Sequence, residues 1–444
     1  MSDTTSRVGI RHSESVRDID VKHRTVATPS VVAAAVAGNA LEFYDFVTYA
    51  FFAVYIGKTF FPAETAYASL LMSVAVFGMG FLARPFGGFV FGVMGDRVGR
   101  RASMILTIVL MTVGTLGVAL TPSYASIGIA APIIVVLARL IQGLALGGEI
   151  GPSSAFLIES APAGKRGLRG SWLLGSQGVG ILVAGIMGVL FSRMLNHEDM
   201  LAWGWRVPFL VGLLIVPVAV YLRRVMPETL HTDGEQADKV DVTTHNAPGK
   251  LITVAVGVIL GGTVSTYVGN YMTTYAIATL KMPAAAAMDA TVAVGLFTLI
   301  FSIVGGWLSD RYGRKPTMLW PRVSAAVLTV PAFALLNAIP TPLTLVVISA
   351  FLATLTAISG AASLVAIPEA FPRRHRALGM GIAYAIGVSV FGGTTQFIIT
   401  WLIHVTGSPV APAWYVTIAS VITVLAMLAM PETRDSSHAT LRVK

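Results

Sequence analysis

Five ionisable side chains of this 444-residue chain are read as lying deep within its long apolar stretches: Glu42, Asp45, Arg84, Arg139 and Glu149. A charge near the centre of a bilayer costs about 2.5–3.5 kcal/mol on insertion scales, so such residues are paired or functional. Two kinds of chemistry suit them. A desolvated carboxylate takes up a proton once its cationic partner is engaged elsewhere. A guanidinium presents a planar fork that matches a carboxylate in bidentate fashion. Glu42 and Asp45 are three residues apart, which puts both acids on one helix face. Either of them, paired with Arg84 or Arg139, gives a proton-coupling group, and Arg84 is the candidate cation for an anionic substrate. The bland alternative is that these charges form buried ion pairs that hold helices together.

Later in the chain, Tyr267, Asn270, Tyr271 and Thr274 recur at spacings of three and four and so share a helix face, and Gln396 adds another polar group. Hydroxyls and amides in an apolar stretch bind substrate oxygens, or they act as interhelical glue. On this reading the second half supplies donors but no charge at mid-membrane depth. A third set lies at the edges of the apolar runs: Asp96, Arg97, Arg100 and Glu159, then Asp310, Arg311, Arg314 and Glu369. An acid beside arginines and a helix N-terminus makes a latch, so these are read as gating residues.

Other chemistries lack their residues. The chain has no cysteine, and its histidines do not pair at metal-ligand spacing, so no metal site is expected. There is no Gly-x-x-x-x-Gly-Lys-[Ser/Thr] phosphate cradle and no nucleophile–base constellation, so neither ATP-driven transport, an enzyme nor a cofactor is expected.

The elements that must position these residues are set by composition. The chain is 55% hydrophobic and 12% charged, against roughly 25% charged in soluble domains. A lipid bilayer is the solvent that suits it. Runs of about 20 apolar residues fall at 30–56, 68–94, 103–120, 126–150, 170–194 and 204–222, and again at 251–279, 287–308, 316–338, 343–367, 377–404 and 410–430. The expected fold is therefore an all-α membrane protein with twelve transmembrane helices in two six-helix halves. Residues 1–29 form an N-terminal segment, 30–222 the first half, 223–250 a polar linker, 251–430 the second half and 431–444 a tail. At 1.5 Å per residue, Glu42 lies about 18 Å into the first span, and Arg84 and Arg139 lie about 15 Å from the ends of theirs.

The net charge of +9 reflects topology rather than nucleic-acid binding, because the basic residues cluster in short loops on one side. By the positive-inside rule both termini are expected in the cytoplasm. The polar first 29 residues lack the make-up of a signal peptide, so the first span is expected to direct insertion. The halves also repeat each other. Gly95-Asp96-Arg97-Val98-Gly99-Arg100-Arg101 is matched by Ser309-Asp310-Arg311-Tyr312-Gly313-Arg314-Lys315, and Glu159-Ser160-Ala161-Pro162 before Arg166 by Glu369-Ala370-Phe371-Pro372 before Arg376. Two motifs in the same order and register argue for duplication.

Those repeats resemble the major facilitator superfamily, whose loop motif runs from Gly92 to Arg101 and again from Gly306 to Lys315, with a second motif at Arg139–Gly143. The stretches Gly38–Phe46, Arg84–Gly88 and Gly147–Glu149 are similar to its metabolite:proton symporters, carriers of citrate, tricarballylate, α-ketoglutarate, shikimate and proline or betaine. Gly57–Pro62, Phe391–Gly393 and Thr400–His404 lean toward the citrate and tricarballylate members. The fifth span carries Gly175-Ser176-Gln177-Gly178 where drug antiporters of the superfamily have a proline-glycine pair, and the seventh span, Thr266–Tyr275, is where the resemblance assigns the cargo least. The resemblance implies an inner-membrane monomer that takes up a small organic anion, such as citrate, with protons by alternating access. Two alternatives stay open: a carrier of a neutral or zwitterionic solute, and a substrate sensor that does not translocate, for which the short linker leaves no room for an output domain.

Overall fold

In the computed structural model, residues 29–98, 100–147, 161–162, 164–213, 217, 248–371 and 376–433 are described. The first half contains α1 (Pro29–Phe51), its continuation α2 (Ala53–Phe60), α3 (Ala66–Val98), α4 (Arg100–Leu120), α5 (Ala130–Gly147), α6 (Arg166–Met194) and α7 (Val207–Leu213). The second contains α8 (Pro248–Ala278), α9 (Ala284–Tyr312), α10 (Arg314–Ala338), α11 (Pro342–Ala370), α12 (Arg376–Ile386), α13 (Gly393–Thr406) and α14 (Ala411–Ala429). Among the described residues, nine helices are long and apolar enough to cross a membrane. Large apolar side chains such as Leu82, Phe86, Phe89, Trp320 and Leu343 point outward, as lipid contact requires.

Some boundaries differ from the sequence expectation. The first span continues to Phe60 after a break at Phe52. The fourth begins at Ala130 rather than 126, because Gly128 takes a left-handed turn (φ 60°) after the short helix Tyr124–Ile127. The eleventh is not one regular helix, since a π-helical segment, Gly387–Gly392, joins α12 to α13.

Glycine sets how closely these helices meet. A Cβ on Gly143 of α5 would lie 1.8 Å from the carbonyl oxygen of Gly80 in α3, and one on Gly147 would lie 2.0 Å from that of Arg84. Only hydrogen fits at these crossings, and their closeness seats Arg84 and Arg139 side by side. The halves join in the same manner: a Cβ on Gly295 of α9 would lie 2.3 Å from the Leu182 nitrogen of α6, and one on Gly78 of α3 would lie 2.3 Å from the Gly393 oxygen of α13. Two backbone-close seams therefore hold the halves together, with the polar face of α8 between them.

Candidate functional site

The first half places its charges around one aromatic ring. Phe46 of α1 lies under both guanidinium groups, Arg84 at 4.4 Å and Arg139 at 4.5 Å from its centroid. Arg84 also covers Phe81 at 4.0 Å, and Arg139 covers Tyr49 at 4.5 Å and Phe77 at 5.1 Å. Aromatic faces attract cations without neutralising them. Both arginines are buried, and each keeps Nε and Nη2 without a hydrogen-bond partner.

Asp45 is tied to Arg139 through a relay rather than face to face. Thr115 of α4 donates its hydroxyl to Asp45 Oδ2, Gln142 Nε2 donates to Thr115 Oγ1 at 2.9 Å, and Arg139 Nη1 donates to Gln142 Oε1 at 2.7 Å. Asp45 Oδ1 is buried without a partner. It faces Gly212 of α7, where a Cβ would come within 3.3 Å. The carboxylate therefore sits inside the first-half bundle, among α1, α4 and α7. Glu42, one turn earlier, is half-buried. Glu149 lies outside the described residues.

The polar face of α8 turns toward the first half. Tyr267 packs on Phe81 with centroids 5.0 Å apart and its hydroxyl meets Arg84. Thr274 donates to the Ala50 carbonyl at 3.2 Å. Tyr271 accepts a 2.8 Å hydrogen bond from Thr400. Asn270 and Gln396 are both fully buried (0% exposed), and neither side-chain amide has a partner at nitrogen or oxygen. An unsatisfied buried amide costs about 1–3 kcal/mol, so two of them, in a protein whose Arg84 Nε and Nη2 are also unpartnered, are groups that a polar guest would satisfy. Gln177 of α6 lines two of the cavities between the halves, and in the sequence it stands only as part of a glycine-rich stretch.

The expectation that the second half carries no charge at membrane depth is overturned by Arg322. It lies eight residues into α10, about 12 Å from that helix's start, and is buried. Its Nη1 donates to the Gly261 carbonyl at 2.9 Å and to Ser265 Oγ at 2.8 Å. Its length lets it fold back on α8 within an otherwise apolar stretch, and that contact is invisible in the local sequence.

At one edge of the two halves, Asp310, in the last turn of α9, caps α6 of the other half, accepting from the Gly167 and Leu168 nitrogens at 2.8 Å each. Arg314 bridges Asp310 at 2.8 Å and Glu369 at 3.0 Å. Arg166 approaches Glu369 at 3.8 Å from the first half. Glu432 accepts from the Arg314 and Lys315 backbone nitrogens at 2.9 Å, a member of this cluster that the repeat did not reveal because it lies beyond the last span. Arg311 is exposed and rests over Trp307 and Tyr312 of its own helix, at 5.4 and 5.6 Å. The side chains of Asp96, Arg97 and Arg100, and all of Glu159, lie outside the described residues. On the opposite edge Arg193 bridges Asp289 at 3.1 Å across the halves.

Two helical bundles meeting around a buried polar site define a multi-pass membrane transporter, not an enzyme. The description "Sugar (and other) transporter" matches residues 30–251, and "Major Facilitator Superfamily" matches 254–443. The chain belongs to the major facilitator superfamily, and its fold is that family's twelve-helix, two-half architecture. Among curated relatives, a citrate-proton symporter of Salmonella typhi is 36% identical over 86% of this chain and 89% of its own. A proline/betaine transporter of Salmonella typhimurium is 33% identical over 91% and 83%, and an α-ketoglutarate permease of Escherichia coli is 34% identical over 89% and 92%. A crystal structure of a D-xylose-proton symporter superposes with a TM-score of 0.72 at 21% identity, covering 91% of this chain and 98% of that one.

Proposed function

We propose that this protein is a proton-coupled symporter that takes up a small organic anion, a di- or tricarboxylate such as citrate, across the inner membrane by alternating access. The observation that carries this reading is the open guanidinium of Arg84, held between aromatic rings and facing Tyr267, which shares its helix face with the partnerless amide of Asn270. A carboxylate supplies the acceptors that Arg84 and the Asn270 and Gln396 amide nitrogens lack. Arg84 gives two parallel N–H donors, and Tyr267, Tyr271, Asn270, Thr274 and Gln396 give donors from the other half. Asp45 is the primary proton carrier. Its relay through Thr115 and Gln142 to Arg139, and the Phe46 ring shared by the two arginines, link proton uptake to the charge at Arg84. Glu42 is a second candidate on the same helix. Asp310, Arg314 and Glu369 form the cytoplasmic latch, with Arg311 beside it and Asp96, Arg97, Arg100 and Glu159 as its counterparts in the first half. Both termini face the cytoplasm, residues 223–250 link the halves, and the carrier works as a monomer.

The relatives include a citrate-proton symporter, which supports the reading, and proline/betaine transporters, which favour a zwitterion as the second reading. A zwitterion also brings one carboxylate to Arg84. The test is uptake of radiolabelled citrate, α-ketoglutarate and proline into proteoliposomes with and without an inward proton gradient. Gradient-driven accumulation of an acid is expected, lost in Asp45→Asn with exchange retained. Undiminished proton-driven accumulation in both Asp45→Asn and Glu42→Gln would sink the coupling scheme, and preference for an uncharged solute would sink the anion reading.

A further inference from the structure

One buried cation has no part in that scheme. Arg322 of α10 is 1% exposed. Its Nη1 braces α8 through Gly261 and Ser265, while Nε is buried without a partner. Its Nη2 runs along the bare backbone of Gly262, 3.7 Å from where a Cβ would stand. The side chain lines a cavity of about 90 Å³ between the halves, together with Gln177, Thr266, Tyr267, Thr356 and Tyr384. Among the described residues that line that cavity, none is acidic. Tyr267 is the shared wall: it lines this cavity and also meets Arg84.

A brace between two helices needs a donor, not a charge, and a glutamine would serve. A permanent cation at membrane depth, with no carboxylate among its cavity neighbours, is costly unless its counter-charge arrives from elsewhere. A cavity that opens on the guanidinium gives that counter-charge a place. We propose that Arg322 is the second carboxylate anchor of the carrier, contributed by the second half, and that the substrate class is therefore an acid with two carboxylates held between Arg84 and Arg322. This rests on the organic-anion reading above and adds to it the residue that holds the second carboxylate. It also gives alternating access a reason to close, because a dicarboxylate satisfies one cation on each half at once, whereas a monocarboxylate leaves one open.

The test is equilibrium binding to the purified full-length chain of a matched panel: butyrate, succinate, citrate and proline. The parent is expected to bind succinate or citrate at least about tenfold more tightly than butyrate, the worth of one charge-assisted contact. In Arg322→Gln, succinate and citrate affinity should fall about tenfold to a hundredfold while butyrate is unchanged, so that discrimination disappears. Equal loss for all three acids, or no loss for any, would overturn the proposal in favour of a plain brace. The chain has no cysteine, so Thr356→Cys, with Arg322 intact, gives a second measurement that does not depend on folding of the Arg322 variant. Succinate, but not butyrate, should slow alkylation of that thiol, and equal slowing or none counts against the proposal. A parent that binds butyrate as well as succinate defeats this inference and leaves the organic-anion reading standing; a parent that binds no acid at all defeats that reading itself.

Discussion

The proposed cytoplasmic latch can be loosened by exchanging one carboxylate oxygen for an amide NH2 group. In Asp310→Asn, a carboxylate that accepts from the Gly167 and Leu168 nitrogens at 2.8 Å, and from Arg314 at 2.8 Å, becomes an amide. The amide keeps one acceptor oxygen and turns its NH2 toward a second donor. At least one charge-assisted hydrogen bond is lost, worth about 1.5–3 kcal/mol, and the attraction of the carboxylate for the helix N-terminus goes with it. Both nitrogens belong to the other half, so the loss falls on the cytoplasm-closed state and not on the open one. The open population should rise roughly tenfold to a hundredfold. Ser171 reports this. It is fully buried behind the latch, where a Cβ on Gly306 would meet its Oγ at 2.5 Å. In a chain without cysteine, Ser171→Cys carries the only thiol. Its alkylation rate from the cytoplasmic side of inside-out vesicles should rise by that same factor when Asp310→Asn is added, with substrate affinity nearly unchanged. An unchanged labelling rate would refute the latch, and a fall in equilibrium affinity as large as the change in transport rate would move Asp310 to the binding site.

Other outcomes follow from the same geometry. Arg84→Lys keeps the charge but loses the planar fork, so carboxylate affinity should fall about tenfold or more, with Arg84→Ala lower still, as read by titration calorimetry. Asn270→Ala removes an amide with no present partner; protein stability should hold or rise in a thermal shift assay while substrate affinity drops, and the reverse pattern would make Asn270 structural. Gly143→Ala forces a methyl to within 1.8 Å of the Gly80 oxygen, so α3 and α5 must separate at a cost of about 1–3 kcal/mol or more, seen as a lower melting temperature and loss of uptake. Gln142→Leu cuts the relay between Asp45 and Arg139; proton-driven accumulation should fall while substrate exchange continues, and intact accumulation would show that coupling takes another route.

Much of this molecule is legible from composition and repetition. A chain that is 55% apolar and 12% charged cannot cover itself in water, so a membrane and a helix count follow from the bilayer's thickness. The paired loop motifs give two halves, because duplication leaves the same residues at the same offsets. The rarity of charge in lipid singles out Asp45, Arg84 and Arg139 without any structure, and the three-and-four spacing of Tyr267, Asn270, Tyr271 and Thr274 puts them on one face. What the sequence does not contain is which groups face each other. Asp45 bonds to Thr115 and reaches Arg139 through Gln142, three elements that only tertiary packing brings together. Phe46 meets both arginines because Gly80, Gly143 and Gly147 allow α3 and α5 to touch at the backbone. Arg322 looks like an incidental charge in its own span, and only the approach of Gly261 and Ser265 from α8 shows that it is held at a cavity between the halves. Periodicity and charge are properties of a segment and are written along the chain. Contacts between segments hundreds of residues apart depend on helix rotation and close approach, which residue identity does not state until the helices are packed.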